Sequence, residues 1–584
     1  MQNRPRSWTH GPSFEEGGVR FRLWAPGHDS VELALEGGER LKMDRGEGGF
    51  YECLVPGLRA GQRYRFALPD GRLVPDPASR RQPLDVDGPS ELVAPDAHDW
   101  RCAWGGIAWD DVVLYELHLG AFSPEGDFAG AVKRLPHLRD LGVTAVEIMP
   151  VADFPGGRGW GYDGVFPYAP DAAYGRPEDF KAFVDAAHGH GIAVLLDVVY
   201  NHFGPQGNYL PLIAPAFFTA RHRTPWGDAI DFGSIPVRDF FLENAEYWID
   251  EFRLDGLRFD AVHAIRDDSR PDILQEIAER LRARFDRPLH LLLEHEDNEP
   301  ERLERSGRNP VQYTAQWNDD VHHVLHVAAT GEQSGYYSAY GDTQLLLRAL
   351  AEGFAYQGEF MPYREGPRGA PSGHLPPDAF VGFIQNHDQI GNRAFGERLS
   401  KLASEPAQRA LAGVYLLSPE IPMLFMGEEW GETRPFLFFC DFQGDLAEAV
   451  RNGRRAEFAR FPEFSHPEKV KRIPDPLAEE TFLACKLDWD HVNADRLLLY
   501  RELIRTRRRF VRPLLRSIER GGDGQVIGAS AVRLVWRAGG RRLVLDANLA
   551  DRRSAFPQLV GEAFWNCGET QSEFGPWSVR WSLA

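Results

Sequence analysis

Cysteine is scarce in this sequence, with five residues among 584 and none of them in a CxxC pair. This scarcity and spacing indicate neither a disulfide framework nor a cysteine-based zinc site. No acidic cluster has the ordered oxygen-ligand spacing of a calcium loop. We therefore expect reduced, structural cysteines, and we predict neither a metal ion nor another cofactor.

Long hydrophobic runs are also missing. No segment approaches the ~20 apolar residues that span a membrane. Residues 1–8 lack the apolar stretch that a secretory signal needs. We therefore expect a globular protein of the cytoplasm that does not cross a membrane.

Basic residues are outnumbered, because 66 Lys and Arg face 86 Asp and Glu and leave a formal net charge of -20. Binding of nucleic acid rests on Lys and Arg side chains that neutralise phosphates, so this balance argues against a nucleic-acid partner. A neutral, hydroxyl-rich ligand fits the composition better. The sequence leaves the oligomeric state open.

Hydrophobic periodicity divides the chain into three parts. Alternation at period two over residues 1–100 predicts an N-terminal β-sandwich, and similar alternation over 519–584 predicts a C-terminal β domain. Between them, over 101–518, short apolar strands alternate with amphipathic helices, which is typical of a parallel sheet. Eight such strands predict a (β/α)8 TIM barrel. They are residues 112–117, 144–149, 193–198, 256–260, 289–293, 380–384 and 422–426, with one more near 311–316.

Two stretches rich in Pro and Gly depart from this alternation. Residues 203–235 are too long for an ordinary connection between strand and helix, so we expect a loop-like excursion over the catalytic face of the barrel. Residues 365–377 are either a mobile lid or a surface loop.

Four acidic residues stand at or just after the ends of predicted strands: Asp197, Asp260, Glu294 and Asp388. Active sites of TIM barrels lie at the C-terminal ends of their strands. Hydrolysis of a glycosidic bond with retention needs one carboxylate as nucleophile and one carboxyl as acid, held close across the bond. Helix caps or surface acids are the alternative for any single one of them. Their joint placement favours a catalytic site.

The frames around these acids resemble the alpha-amylase superfamily of glycoside hydrolases in their order: residues 194–202, 256–263, 291–294 and 386–388. The resemblance implies that Asp260 is the nucleophile and that Glu294 is the acid and later the base. Asp388 would hold sugar hydroxyls and would, with Asp260, raise the pKa of Glu294. Arg258 would lower the pKa of Asp260 and keep it ionised, and Asp197 would orient Arg258.

The same resemblance implies residues that contact the substrate. Tyr162, followed by Asp163, would form a stacking floor under the sugar that is cleaved. His202 and His387 would be neutral hydrogen-bond partners, and His263 lies in the frame of the nucleophile. The alternatives are an exposed turn aromatic for Tyr162 and satisfied core residues for the histidines.

More particular stretches resemble the maltooligosyltrehalose trehalohydrolase family within this superfamily: residues 75–80, 224–230, 316–323, 356–359, 386–394 and 435–442. The implied reaction is hydrolysis of the α-1,4 bond next to the terminal trehalose unit of maltooligosyl trehalose. Trp226 offers a flat platform for a sugar. The polar residues expected around the leaving side are Asn318, Asp319, Asp320, His322, Gln389, Asn392 and Arg393. A helix-capping turn is the alternative for Asn318 to Asp320.

Other assignments remain to be weighed. Glu296, two residues after Glu294, could compete as the acid, although strand register favours Glu294. Glu428 and Glu429 are predicted to be structural hydrogen-bond acceptors. A glycogen branching enzyme is the nearest enzymatic alternative, but its frames lack the 386–393 run. A non-catalytic glucan-binding barrel is a further alternative, and it should have lost at least one catalytic carboxylate.

Overall fold

The computed structural model describes residues 8–95, 97–458 and 470–584. Residues 1–7, on which the expectation of a missing secretory signal rests, lie outside the described residues. Within the described ranges, no helix has both the length and the apolar character needed to cross a bilayer.

A closed barrel of eight parallel strands forms the middle of the chain, as predicted. Its strands are β1 (Leu114–Leu117), β2 (Ala145–Ile148), β3 (Ala193–Val198), β4 (Gly256–Phe259), β5 (His290–Leu293), β6 (Ala315–Trp317), β7 (Phe380–Gly382) and β8 (Ile421–Phe425). Every residue of these strands is buried. Strands enclosed on both faces need continuous apolar runs, which explains why the sequence revealed them. The largest displacement is that of β6, which begins at Ala315 and leaves the half-exposed Val311 outside it, while β8 begins one residue earlier than predicted.

Helices surround the barrel. The principal ones are Phe128–Val132, Leu135–Leu141, Pro177–Gly189, Ile235–Glu251, Ile273–Arg284, Asp319–Thr330, Thr343–Glu352, Glu405–Leu417 and Ala494–Thr506. The described residues between β5 and β6 form a 3-10 turn, Pro300–Leu303, and a small hairpin of Arg305–Ser306 with Asn309–Pro310. A full helix does not cover the barrel at that position within the described chain.

Two β-sheet layers precede the barrel. One contains Ser13–Glu15, Gly18–Trp24, Phe50–Val55 and Asp44–Arg45, and the other contains Arg40–Lys42, Glu32–Leu35, Arg63–Ala67, Leu73–Val74 and Ser90–Glu91. In Gly18–Trp24, Val19, Phe21 and Leu23 are buried while Arg20 and Arg22 lie between them and are partly exposed. Period-two alternation therefore places one face of this strand in the core.

Residues 203–235 are more regular than predicted. They contain a short helix, Leu210–Ile213, and an antiparallel hairpin of Phe218–Thr224 with Gly227–Ile230. Most residues of the hairpin are exposed or partly exposed, and only Ala229 and Ile230 are buried, so its strands lack the apolar pattern by which the sequence would predict them. The Pro- and Gly-rich stretch at 365–377 is anchored through the amides of Gly369 and Ala370, which donate to the carbonyls of Asp297 and Asn298.

A five-stranded antiparallel sheet ends the chain, in the order Asp523–Gly528, Ala531–Ala538, Arg541–Asn548, Ser578–Leu583 and Glu562–Cys567. It packs on the barrel helix Glu405–Leu417 through tryptophans. The indole of Trp581 donates to the carbonyl of Gly413 (2.8 Å). A Cβ atom added at Gly413 would lie 2.2 Å from the ring of Trp565. The absence of a side chain at Gly413 therefore permits this contact.

We predict that Gly413→Ala lowers the free energy of unfolding by roughly 1–3 kcal/mol, the usual cost of overpacking a core. Gly453→Ala is the control, because Gly453 lies in an exposed part of a helix with nothing within 4 Å of an added Cβ. The control should be neutral or stabilising by up to about 1 kcal/mol. Chemical unfolding followed by tryptophan fluorescence measures both. Equal effects of the two substitutions would contradict the role given to Gly413.

Candidate active site

A single buried guanidinium contacts three of the predicted carboxylates. Arg258 on β4 has no exposed side-chain surface. Its Nη1 lies 2.5 Å from Asp197 Oδ2 and 3.0 Å from Asp260 Oδ1, and its Nη2 lies 2.7 Å from Glu294 Oε2. Its carbon Cζ lies 4.1 Å from the ring centroid of Trp317 on β6. Arg258 therefore gathers groups from four neighbouring strands.

Strand register brings the two reacting carboxyls to the same level. In the parallel pair of β4 and β5, Phe259 lies opposite Leu293. Asp260 and Glu294 follow immediately, and the amide of Glu294 donates to the carbonyl of Phe259 (3.0 Å). The amide of Ala261 donates to Glu294 Oε2 (2.9 Å). The two side chains therefore meet at the C-terminal end of the barrel.

Burial is the largest influence on both carboxyls. It raises the pKa of Asp260, while Arg258 and a hydrogen bond from the Asn201 amide (2.8 Å) lower it, and the net direction is upward. Arg258 therefore lowers the pKa of Asp260 as expected, but desolvation outweighs its effect. Burial also raises the pKa of Glu294, with a further upward contribution from Asp260. A raised pKa suits a group that begins the reaction protonated.

His387 carries a charge that the sequence analysis did not predict. Its Nε2 lies 3.5 Å from Asp388 Oδ1, and its Nδ1 contacts the carboxylate of Glu116 on β1. Burial lowers the pKa of His387, but Asp388 and Glu116 together raise it to about 9. The prediction of a neutral His387 is therefore corrected to a protonated one. The ring of Tyr162 stacks on it, with centroids 5.2 Å apart.

The other side of the site contains Tyr162, His202 and Trp226. The hydroxyl of Tyr162 donates to Asp197 Oδ2 (2.7 Å), and its carbonyl lies 2.9 Å from His202 Nε2. Burial lowers the pKa of His202 to about 4, so this histidine is neutral as predicted. The ring of His202 stacks on that of Trp226, with centroids 4.0 Å apart and ring planes 9° from parallel. The side chain of Trp226 is half exposed. Asp163, next to Tyr162, is partly buried, and burial raises its pKa to about 6.

Two regions of the chain match known families. Residues 9–78 match carbohydrate-binding module 48, the isoamylase N-terminal domain, and residues 85–211 match the alpha amylase catalytic domain. A crystal structure of a Salmonella typhimurium protein described as a candidate alpha amylase superimposes with a TM-score of 0.96. That protein is 46% identical, and the alignment covers 99% of this chain and 100% of the other.

Curated relatives decide the family. The malto-oligosyltrehalose trehalohydrolase of Saccharolobus solfataricus is 40% identical, covering 95% of this chain and 98% of the relative. The enzyme of the same name from Deinococcus radiodurans is 43% identical, covering 92% and 90%. The chain belongs to the malto-oligosyltrehalose trehalohydrolase family. It is therefore a glycoside hydrolase with the alpha-amylase fold.

In this trehalohydrolase-family barrel, Asn318 is directed away from the site. It is 1% exposed, and its amide donates to the carbonyl of Gly353 (2.9 Å) and to Glu420 Oε1 (2.8 Å). Its side-chain oxygen also caps the helix Asp319–Thr330. We therefore correct its assignment to substrate, because every polar atom serves the fold. The capping alternative is the one that the structure supports here.

Asp320 and His322 are corrected for the same reason. Asp320 has no exposed surface, and it binds Arg368 (2.5 Å) and the hydroxyl of Tyr340 (2.7 Å). Both ring nitrogens of His322 are occupied, by the carbonyl of Ile384 (2.7 Å) and the hydroxyl of Tyr337 (2.9 Å). Neither residue can reach a sugar without breaking these contacts.

The remaining polar residues divide into two groups. Asp319 accepts from Gln389 (3.1 Å), and Asn392 donates to Asp388 Oδ1 (3.3 Å), so these contacts adjoin the site. Burial, with Glu294 and Asp388 nearby, raises the pKa of Asp319 to about 8. By contrast, Arg393 pairs with Glu332 (2.9 Å), and His263 Nε2 lies 3.5 Å from Glu296. Arg393 and His263 therefore contact glutamates and not the cluster around Arg258.

Three further glutamates, Glu296, Glu428 and Glu429, lie outside the cluster of carboxyls around Arg258. The side chain of Glu296 is 64% exposed and outside the cluster around Arg258, unlike that of Glu294. Glu428 accepts from Gln385 (3.1 Å), and Glu429 accepts from Tyr115 (3.1 Å), so both are the buried acceptors that the sequence predicted.

Glu116 on β1, Glu147 on β2 and Asn201 after β3 were not among the predicted site residues. Both carboxylate oxygens of Glu147 are buried without a hydrogen-bond partner in the described part of the chain. Burial raises its pKa well above the usual range. The sequence shows Glu116 and Glu147 inside strands that are otherwise apolar. Because burial of a carboxyl costs free energy, this position could have identified both as candidate functional residues.

The contact between His387 and Glu116 predicts a pH effect on stability. A histidine whose pKa is raised to about 9 stabilises the fold fully below its unfolded value of about 6.5, and this stabilisation is lost as pH rises through 9. We expect Glu116→Gln to lower the free energy of unfolding most below pH 6.5, by up to about 3 kcal/mol. Thermal unfolding midpoints measured across the pH range report this loss. The difference between the two proteins should narrow towards pH 9. A difference independent of pH would contradict the assignment.

Proposed function

We propose that this chain hydrolyses the α-1,4-glucosidic bond next to the terminal trehalose unit of maltooligosyl trehalose, with retention of configuration. Relatives named malto-oligosyltrehalose trehalohydrolase align over 90% or more of the chain and support the substrate. The cluster of Asp260, Glu294 and Asp197 around Arg258 is the observation that carries the chemistry. The products are trehalose and a shorter maltooligosaccharide.

In the first step Asp260 attacks the anomeric carbon while Glu294 donates its proton to the leaving oxygen. The bond between the anomeric carbon and that oxygen breaks, and a covalent glycosyl ester forms on Asp260. In the second step Glu294 removes a proton from water, the resulting hydroxyl attacks the anomeric carbon, and the ester bond to Asp260 breaks. Both residues then return to their starting states.

The electrostatics of the site support these two roles. Glu294 is buried and lies beside another acid, which favours its protonated form at the start. Burial raises the pKa of Asp260, and the cation of Arg258 at 3.0 Å and the hydrogen bond from Asn201 counteract that effect in favour of the ionised form. Two carboxyl groups in different surroundings can thus divide the work of acid and nucleophile.

Asp388, His387 and Tyr162 are proposed to hold the sugar that is cleaved. The side chain of Asp388 is 38% exposed, and its contacts with His387 and Asn392 are made through Oδ1, so Oδ2 can accept hydrogen bonds from sugar hydroxyls. The proton on His387 makes it a charged donor next to Asp388. Tyr162 is fixed between Asp197 and His387, so its ring offers a rigid stacking surface.

The trehalose end is proposed to lie near Trp226, Asp319, Gln389 and Asn392. Trp226 is 49% exposed and backed by the ring of His202, so its other face is open to a sugar. Asp319 adjoins Glu294 and Gln389, and with a pKa of about 8 it donates a hydrogen bond at neutral pH. A site built to bond particular hydroxyls rejects an analogue that lacks them.

Replacing the two reacting carboxyls should separate chemistry from folding. We expect Asp260→Asn and Glu294→Gln each to reduce kcat by at least about a thousandfold while the protein still folds cooperatively, because Asp197 continues to pair with Arg258. Glu294→Gln should recover in part on an activated glycoside whose leaving group needs no proton. Glu296→Gln is the matched control and should retain most activity. Greater damage from Glu296→Gln would assign the acid to that residue instead.

Specificity should appear in kcat/KM for trehalose-ended against linear maltooligosaccharides of equal length. We expect the trehalose-ended substrate to be preferred, and Trp226→Ala or Asp319→Asn to erode that preference by about 1–3 kcal/mol. Hydrolysis of the linear chain should fall less in both variants. Equal rates on the two substrates in the unmodified protein would indicate a general α-1,4-glucan hydrolase. Production of longer glucans in place of free trehalose would favour the branching alternative.

A further inference from the structure

A cavity of 760 Å³ opens at the end of the barrel opposite to the active site. Its lining includes His290, the first residue of β5, together with Thr314 and Asp378, which precede β6 and β7. These are N-terminal strand ends, whereas the catalytic carboxyls follow C-terminal ends. The segment between β5 and β6 forms one wall through Arg305 and Asn309. The cavity is therefore separate from the proposed active site.

Positive charge dominates the wall of this cavity, although the chain as a whole has a net charge of -20. Five arginines and three aspartates line it. The arginines held in ion pairs are Arg287 with Asp255 (3.1 Å), Arg308 with Asp378 (2.9 Å) and Arg516 with Asp110 (3.0 Å). The other two, Arg282 and Arg305, have no carboxylate within 4.0 Å in the described ranges of the chain.

Arg282 and Arg305 lie side by side. Nη2 of Arg282 donates to the hydroxyl of Thr314 (3.1 Å), and Nη2 of Arg305 donates to the carbonyl of the same residue (2.6 Å). Burial lowers the pKa of Arg282 to about 10, and the charge of Arg305 beside it acts in the same direction. Arg282 thus stays protonated at neutral pH, and burial lowers the pKa of Arg305 in the same way. Asp378 and Glu304 compensate part of the charge of Arg305, but neither forms an ion pair with it, and an anion placed between the two adjacent cations would be attracted to both.

Donor geometry identifies the kind of anion. The Nη1 group of Arg282 has no hydrogen-bond acceptor among the described residues, and it belongs to a side chain that lines the cavity. Both Nη groups of Arg305 donate to backbone carbonyls, those of Leu303, Tyr313 and Thr314, so Arg305 contributes chiefly its charge. Charged guanidinium donors form strong hydrogen bonds with phosphate oxygens. A phosphate monoester carries about −1.5 to −2 charges at pH 7, which matches the excess of two arginines over aspartates on the wall.

We infer that this cavity binds a phosphate group at Arg282 and Arg305, carried either by inorganic phosphate or by a small sugar phosphate. Trp109 and Phe285 also line the cavity and offer apolar surface for a sugar ring. The indole of Trp109 is held by a hydrogen bond to the carbonyl of Asp378 (2.7 Å). This site is independent of the proposed hydrolytic function.

Isothermal titration of the full chain tests the inference. The probes are inorganic phosphate, glucose 6-phosphate and glucose, at constant ionic strength; the titrations are repeated on the full-length Asp260→Asn variant with saturating maltotetraose, which occupies the active site without being turned over. We expect one saturable site for the phosphate-bearing probes and none for glucose. Tighter binding of glucose 6-phosphate would identify a sugar phosphate as the ligand, and equal affinity would identify free phosphate. Absence of saturable binding by both probes would overturn the inference.

Substitutions locate the site. Arg282→Gln and Arg305→Gln should each weaken phosphate binding at least about tenfold, because each removes a charged donor. Arg537→Gln is the control, since Arg537 has 73% of its side chain exposed and does not line the cavity. It should leave affinity unchanged.

A second variant keeps the test valid if the arginine substitutions impair folding. Asn309 is exposed and lines the cavity, so Asn309→Asp adds a negative charge near the arginines and removes no side-chain hydrogen bond that the described structure uses. It should weaken phosphate binding in the same direction, by several-fold. Undiminished affinity in Asn309→Asp and in the folded arginine variants would show that phosphate binds elsewhere and would overturn the assignment.

Discussion

The active end of the barrel depends on one buried cation. Arg258 has no exposed side-chain surface, and a charge so enclosed is tolerated only when it is paired. Its carboxylate partners are Asp197 on β3, Asp260 after β4 and Glu294 after β5, while Trp317 on β6 covers its face. Four strands are therefore tied together by the interaction that also orients the reacting groups.

The surroundings of this cation contain more carboxyls than positive charges. Glu116, Glu147 and Asp197 stand on β1, β2 and β3, and the acids of the proposed reaction follow the ends of β4 and β5. His387 supplies the second cation through its contacts with Glu116 and Asp388. Because like charges at short range cannot all ionise, some of these groups keep their protons. Glu147 is one example, because burial and the neighbouring Asp197 and Glu116 raise its pKa.

The sequence was sufficient to predict the barrel and the carboxyls at its strand ends. Strands buried on both faces leave an unmistakable apolar run, and the next residue lies at the mouth of the barrel. Glu294 could be chosen over Glu296 on this basis. Membership of a helix, by contrast, does not reveal which way a polar side chain points. Asn318 and Asp320 therefore resembled Asp319, although they turn into the protein.

Other features depend on partners far away in the chain. The charge on His387 is set in part by Glu116, which is 271 residues distant. The sequence around His387 or around Glu116 does not predict that these two residues are in contact. The hairpin Phe218–Thr224 with Gly227–Ile230 was missed for a different reason. Its strands bury only Ala229 and Ile230, so they need few apolar side chains and show no period-two alternation.

The register between β4 and β5 limits how this protein can change during evolution. Phe259 and Leu293 are paired, and each reacting carboxyl comes one residue later. One residue inserted into either strand would reverse the faces of its side chains and turn a catalytic carboxyl into the helix layer. The connections beyond the strands have no such constraint. Variation in length among relatives should therefore concentrate in segments such as 203–235, where it can reshape the substrate channel without disturbing the chemistry.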